Sequence, residues 1–308
     1  MSRNQGAAML CISGVSAADH DVRAFSGGMA HMIILEEDRT IILHTPKCAG
    51  KALRKAFAGM TSETEQWDWS YLRSTGEWVD RAHVPLSVLR QMPEWEKFST
   101  WTFIAVVRDP RARLVSSLRE HLLQHREKDP LAVLDRLDET RICHDPRYIH
   151  FIPQHRFSHI GNKRYADFIV RTESLAADLR AVGTLCRFGK HFFDAVDRIM
   201  KAPESRESGT APDIAERITA CLARFYIRDY ALFGYAMPDF SGKLPGWFSG
   251  LLTDPLCWPE WSGYGYTEAA YDRFRRGVER DAMLNALLRE NRTLRSQCEA
   301  LRTGQMTA

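Results

Sequence analysis

No Cys-x-x-Cys pair occurs anywhere in the chain. The seven cysteines, at positions 11, 48, 143, 186, 221, 257 and 298, are odd in number and scattered. That pattern argues against a disulfide framework or a thiolate zinc site, and points to reduced thiols. Apolar stretches are short: none reaches the roughly 18 residues that a membrane-crossing helix needs. Residues 7–18 are mildly apolar but are broken by Ser13, Gly14 and Ser16, unlike a secretory leader. Residues 1–29 read as a disordered tail, and the cytoplasm is the expected compartment. The excess of positive charge is only +3 over 308 residues, too little for general nucleic-acid binding. With 44% hydrophobic and 26% charged residues, the chain has enough apolar material for the core of one large domain.

Against this background one stretch carries chemical meaning. Ile41-Ile42-Leu43-His44-Thr45-Pro46-Lys47-Cys48-Ala49-Gly50-Lys51-Ala52-Leu53 runs from an apolar strand pattern, through a turn of small residues and lysines, into a helical pattern. Backbone N–H groups at the first turn of a helix have no intrahelical partner, so an anion docks there and a nearby lysine completes its neutralisation. A second unit has the same plan. The strand pattern Trp101–Val107 leads into Arg108-Asp109-Pro110-Arg111-Ala112-Arg113-Leu114-Val115-Ser116-Ser117. Asp109 suits the cap of the following helix and Pro110 its first turn, which puts Arg108 at the strand end and Ser116 two turns into the helix. An arginine fork and a hydroxyl there make a second phosphate reader.

At these two motifs the chain resembles the sulfotransferases that use 3′-phosphoadenosine 5′-phosphosulfate (PAPS), in particular the branch that sulfates carbohydrates. Pro46-Lys47-Cys48-Ala49-Gly50 is similar to that family's 5′-phosphosulfate loop, and Arg108-Asp109-Pro110 with Arg113 and Ser116 to its 3′-phosphate motif. Shorter fragments follow in order: His83-Val84-Pro85-Leu86, Phe151-Ile152-Pro153-Gln154, Asp167–Glu173, Phe225-Tyr226, Asp229-Tyr230 and Phe233-Gly234-Tyr235. The similarity spans residues 30–236. It implies a P-loop-like α/β fold with a mostly parallel sheet flanked by helices, PAPS as co-substrate, no metal, and a sugar or glycoconjugate acceptor, in a cytosolic bacterial member. The implied donor-binding residues are Lys47, Cys48, Ala49, Gly50, Lys51, Ala52, Arg108, Arg113 and Ser116. The chain departs from the family where a Thr or Ser usually follows the glycine: here Lys51 and Ala52 stand, and a flexible point charge is no substitute for a fixed hydroxyl.

Sulfuryl transfer needs in-line geometry, a cation where charge develops and a base for the incoming hydroxyl. Lys47 is the expected cation and His83 the expected base, because histidine titrates near neutrality and His83 lies between the two phosphate motifs. His44, His144, His150 and His155 are rivals, and Glu63, Glu65 and Asp68 offer carboxylates. Gln154 and Arg171 are expected near the crevice. Two other classes remain open. A kinase is suggested by Gly50-Lys51, although Ala52 stands where a magnesium-holding Ser or Thr belongs and the upstream glycine is missing. A catalytically silent nucleotide-binding or assembly protein is suggested by the altered Lys51-Ala52 pair.

Elsewhere, Met32–Leu35 and Thr40–His44 read as a strand pair. Leu53, Phe57 and Met60 mark one helix face, and Leu114, Leu118, Leu122 and Leu123 another. Ser174–Val182, Lys190–Met200 and Pro212–Tyr226 read as helices, with a polar loop at Ala202–Ala211. Residues 237–266 form a connector rich in Pro, Gly and aromatics. Residues 267–305 are helical, and Leu284, Leu287, Asn291, Leu294, Cys298 and Leu301 follow heptad spacing, which suggests a short coiled coil and a homodimer through this helix.

Overall fold

The computed structural model describes residues 32–60, 69–72, 75–161, 163–200, 212–240 and 264–302. The tail expected over 1–29, the carboxylates Glu63, Glu65 and Asp68, the polar loop Ala202–Ala211 and most of the connector lie outside the described residues. The strands are β1 (Ile33–Leu35), β2 (Thr40–Leu43), β3 (Trp69–Leu72), β4 (Glu77–Asp80), β5 (Thr102–Val107), β6 (His159–Ile160), β7 (Lys163–Arg164) and β8 (Phe168–Arg171). The helices are α1 (Gly50–Ala56), α2 (Leu86–Leu89), α3 (Trp95–Phe98), α4 (Pro110–His125), α5 (Pro130–Asp135), α6 (Glu139–His144), α7 (Leu175–Cys186), α8 (Lys190–Met200), α9 (Pro212–Cys221), α10 (Ile227–Phe233) and α11 (Glu268–Arg302).

The central sheet has the order β1-β2-β5-β8. β1 folds back antiparallel on β2 across the Glu36–Arg39 turn, while β2 with β5 and β5 with β8 run parallel, so the sheet is mixed. Successive strand side chains point to opposite faces, and the sequence fills both. Ile34, Ile41, Leu43, Phe103 and Ala105 join one core with Leu114 and Leu118 of α4 and Ile218 of α9. Ile33, Leu35, Ile42, Ile104 and Val106 join the other with Leu53 of α1, Leu179 of α7 and Phe192 of α8. Each fully buried aliphatic side chain contributes about 1.5–3 kcal/mol. Strands apolar on both faces are thus pinned between two helical layers, and the loops leaving the carboxyl ends of β2 and β5 emerge side by side.

One expected core residue is misplaced. Leu123 is 71% exposed, because it follows Leu122 directly and a 100° step carries it off the buried face of α4. Pro212–Tyr226 is helical, but its last turn, Leu222–Tyr226, widens into a π-helix.

A separate hairpin, β3–β4, leads straight into the turn Arg81–His83. The carboxyl-terminal part of the chain returns to it: Trp78 and Tyr266 exchange backbone hydrogen bonds of 2.7 and 2.8 Å. Trp78 stacks on Tyr271 of α11 with ring centroids 4.0 Å apart. Every described side chain of α11 from Val278 onward is exposed. Among the described residues no helix is long and apolar enough to cross a membrane.

Candidate active site

The loop between β2 and α1 is wound tightly. Lys47 and Ala49 both adopt left-handed backbone angles, φ 65° and φ 59°, which cost a non-glycine residue on the order of 1–3 kcal/mol each and gather at functional sites. Alternation of this kind turns successive N–H groups toward one concavity that suits an anion. The Cys48 N–H is already spent on Thr45 O at 3.2 Å, closing the turn. Ala49 occupies the N-cap position of α1 without a side-chain cap. Gly50 is required by its neighbour, since a Cβ there would fall 1.9 Å from Nε2 of His44. The Thr45 hydroxyl, in the same loop, is buried and has no hydrogen-bond partner among the described residues. A loop with strained backbone, a glycine at close approach and an orphaned hydroxyl fits an anionic group. Lys51 is exposed and Ala52 half-buried, so the pair adds one charge and no hydroxyl.

Lys47 reaches across to α4, where its Nζ donates to Glu120 Oε2 at 3.0 Å. Burial alone would raise the Glu120 pKa, but the ammonium beside it wins and holds the carboxyl below the usual range. Three imidazoles, His44, His83 and His150, form a cluster, and the Lys47 charge acts on two of them, His44 and His150. His44 and His83 lie with ring centroids 4.6 Å apart, and His150 meets His83 edge-on at 5.6 Å. Burial, then the charges of His83 and Lys47, drive the His150 pKa well below the ordinary histidine value; burial and His83 do the same to His44. Both rings are thereby kept neutral. His83 has a different partner, a contact of 2.8 Å from Nδ1 to Asp80 Oδ2. Asp80 also caps the Arg81–His83 turn by accepting from the Ala82 N–H at 2.9 Å. A carboxylate at Nδ1 favours a ring proton there and orients the imidazole.

The second loop follows β5. Asp109 caps α4, its Oδ1 accepting from the Ala112 N–H at 2.8 Å, with Pro110 in the first turn. Arg108 and Ser116 are both half-buried at this end of the sheet. Arg113 departs from the expectation of a phosphate ligand: it is 1% exposed, and its guanidinium donates to the carbonyls of Pro46, His150 and Ile152. Nothing at its spacing distinguishes a helix-surface arginine from one turned inward, so its position is a product of tertiary packing. Cys48 also turns inward. Its fully buried thiol, pushed up to about 12 by burial, donates to Gln154 Oε1 at 3.3 Å.

Among the rivals for the base, His144 contacts Gly265 O at 2.9 Å and His155 contacts the buried Asp229 at 2.7 Å, so both are engaged in holding the fold. Arg171 lies over the Tyr235 ring and donates to Phe233 O at 2.6 Å. Asp80 and Glu120 are the groups that sequence reasoning left without roles, and Gln154, expected near the crevice, had no partner assigned. For Asp80 a signal existed, an Asp three residues ahead of His83. For the other two the partners lie 46 to 106 residues away. Among the described residues no group of three or more His, Cys, Asp or Glu is placed to hold a metal ion.

The architecture is that of an α/β protein with a tightly wound loop carrying Lys47 at the carboxyl end of β2, and a His83–Asp80 pair whose imidazole packs on His44 of that loop. The model of the sulfotransferase family matches residues 30–236, and the chain belongs to that family. No curated protein and no solved structure matches it.

Proposed function

We propose that the chain transfers a sulfuryl group from PAPS to a hydroxyl of a carbohydrate or glycoconjugate. The observation that supports this reading is that His150 meets the candidate base His83 at 5.6 Å and also feels the charge of the candidate cation Lys47, which sits in a loop of strained backbone. The 5′ end of the donor is assigned to the Lys47–Ala52 loop, and its 3′-phosphate to Arg108 and Ser116.

In the proposed step the acceptor oxygen bonds to sulfur as the bond from sulfur to the bridging phosphate oxygen breaks. The electron pair leaves with adenosine 3′,5′-bisphosphate, and the Lys47 ammonium stabilises the charge that grows there. The acceptor proton passes to Nε2 of His83, and Asp80 stabilises the imidazolium that results.

The test compares Lys47→Ala with Arg108→Ala, using labelled PAPS against a panel of glycan extracts and calorimetric titration with adenosine 3′,5′-bisphosphate. Lys47→Ala is expected to lower transfer by about 10²–10³-fold with the fold intact, the scale of losing one charge-stabilising group. Arg108→Ala is expected to act chiefly on bisphosphate affinity. Full activity in both variants refutes the site. Tight bisphosphate binding by the wild type without transfer to any glycan favours the silent nucleotide-binding reading, whose support is the Lys51-Ala52 pair.

A further inference from the structure

The side-chain amide of Gln154 is fully buried, and each of its polar atoms is engaged. Oε1 accepts from the Arg108 N–H at 2.8 Å and from the Cys48 thiol at 3.3 Å, while Nε2 donates to Arg108 O at 2.8 Å. One oxygen therefore holds the loop after β2 and the end of β5 together. The peptide of Arg108 is gripped on both its N–H and its C=O, as a neighbouring strand would grip it.

Gln154 is itself immobilised from two sides. Its backbone N–H donates to Asp229 Oδ2 at 2.9 Å, and the same fully buried carboxylate accepts from the His155 N–H at 3.0 Å. Tyr226 donates to Phe151 O at 2.7 Å, and Ser117 to His150 O at 2.7 Å. Arg113 completes the frame, binding His150 and Ile152 of this segment and Pro46 of the first loop through one guanidinium.

We infer that Gln154 is a positioning residue that couples the two ends of the donor site, making one preorganised unit of the Lys47 loop and Arg108. This role rests on the reading of the donor as a nucleotide phosphorylated at both ends. It has a specific thermodynamic consequence. When two phosphates of one ligand meet two sites held at fixed separation, the second contact forms at high effective concentration. Loosening the separation costs the doubly phosphorylated ligand that advantage, and costs a singly phosphorylated one nothing.

The experiment titrates wild type, Gln154→Ala and Gln154→Glu with adenosine 3′,5′-bisphosphate, adenosine 5′-monophosphate and adenosine 3′-monophosphate, with circular dichroism as the check on folding. Gln154→Ala is expected to bind the bisphosphate about tenfold more weakly, with each monophosphate within about twofold of wild type. Gln154→Glu keeps the acceptor for the Arg108 N–H and loses the donor to Arg108 O, so an intermediate loss is expected; it carries the test if the alanine variant does not fold. Cys48→Ala added to Gln154→Ala should cost little more, because both remove one link. Equal losses for all three ligands, or an unchanged bisphosphate affinity, overturn the proposal. A wild type that binds the bisphosphate no better than adenosine overturns the donor reading beneath it.

Discussion

Lys47 and Glu120 form a half-buried ion pair of 3.0 Å that joins the anion loop to the third turn of α4. The lysine assigned to the leaving group is thus already engaged by a carboxylate, whose charge competes with that of an anionic ligand. Glu120→Gln removes the competing charge while keeping the shape. Affinity for adenosine 3′,5′-bisphosphate should rise about three- to tenfold, the scale of a partly exposed pair, with little change in thermal stability. Isothermal titration at two salt concentrations checks this, and an unchanged or weaker affinity contradicts it.

Asp80→Asn tests the tautomer assigned to His83. Asparagine retains an oxygen for the Ala82 N–H, so the turn should survive, but its amide donates toward Nδ1 and moves the ring proton to Nε2. Long-range nitrogen–proton NMR correlations should report Nδ1–H in the wild type and Nε2–H in the variant, together with a loss of transfer of about 10²-fold or more through kcat rather than KM. An unchanged tautomer removes the basis for His83 as base.

The buried histidines make stability fall in mild acid. Burial, followed by the neighbouring charges, lowers His125 and His159 to about 4 and leaves His44 and His150 well below the ordinary value. The unfolded chain therefore binds more protons than the native state between about pH 6.5 and 4, and stability rises with pH across that window. It should be fully present above about pH 6.5 and decline as the pH drops toward 4. Thermal melts at half-unit intervals check this, and a flat profile from pH 7 to 5 is the contrary result.

Exposed Leu287 and Leu294 flank Asn291 on α11, and we propose that a second copy of the chain covers this stripe in a parallel pair. Sedimentation equilibrium should give a dimer for the wild type and a monomer for the double variant Leu287→Lys, Leu294→Lys. A monomeric wild type at micromolar concentration refutes the pairing.

What the sequence makes legible here is local. The apolar run Ile41–Leu43, the proline and glycine of the loop, and Asp109-Pro110 at the start of α4 each announce an element through the residues that form it. Lys47 and His83 could be named as candidates because charge and titration are properties of the residue type. The partners of Arg113, Cys48 and Gln154 could not be named, since they depend on which buried carbonyl or amide the fold brings to them. The exposure of Leu123 is a smaller case: of two adjacent leucines 100° apart at the edge of the buried stripe, packing keeps one.

The exchange of backbone hydrogen bonds between Trp78 and Tyr266 gives the far end of the chain a hold on the chemistry. β4 runs without interruption from Trp78 to Asp80, so the carboxylate that orients His83 inherits its position from a strand braced by residues nearly two hundred places downstream. On the proposed reading of His83 as base, a ribosome-bound or clipped copy ending before Tyr264 keeps Lys47, His83 and Arg108 but loses the bridge that braces Asp80.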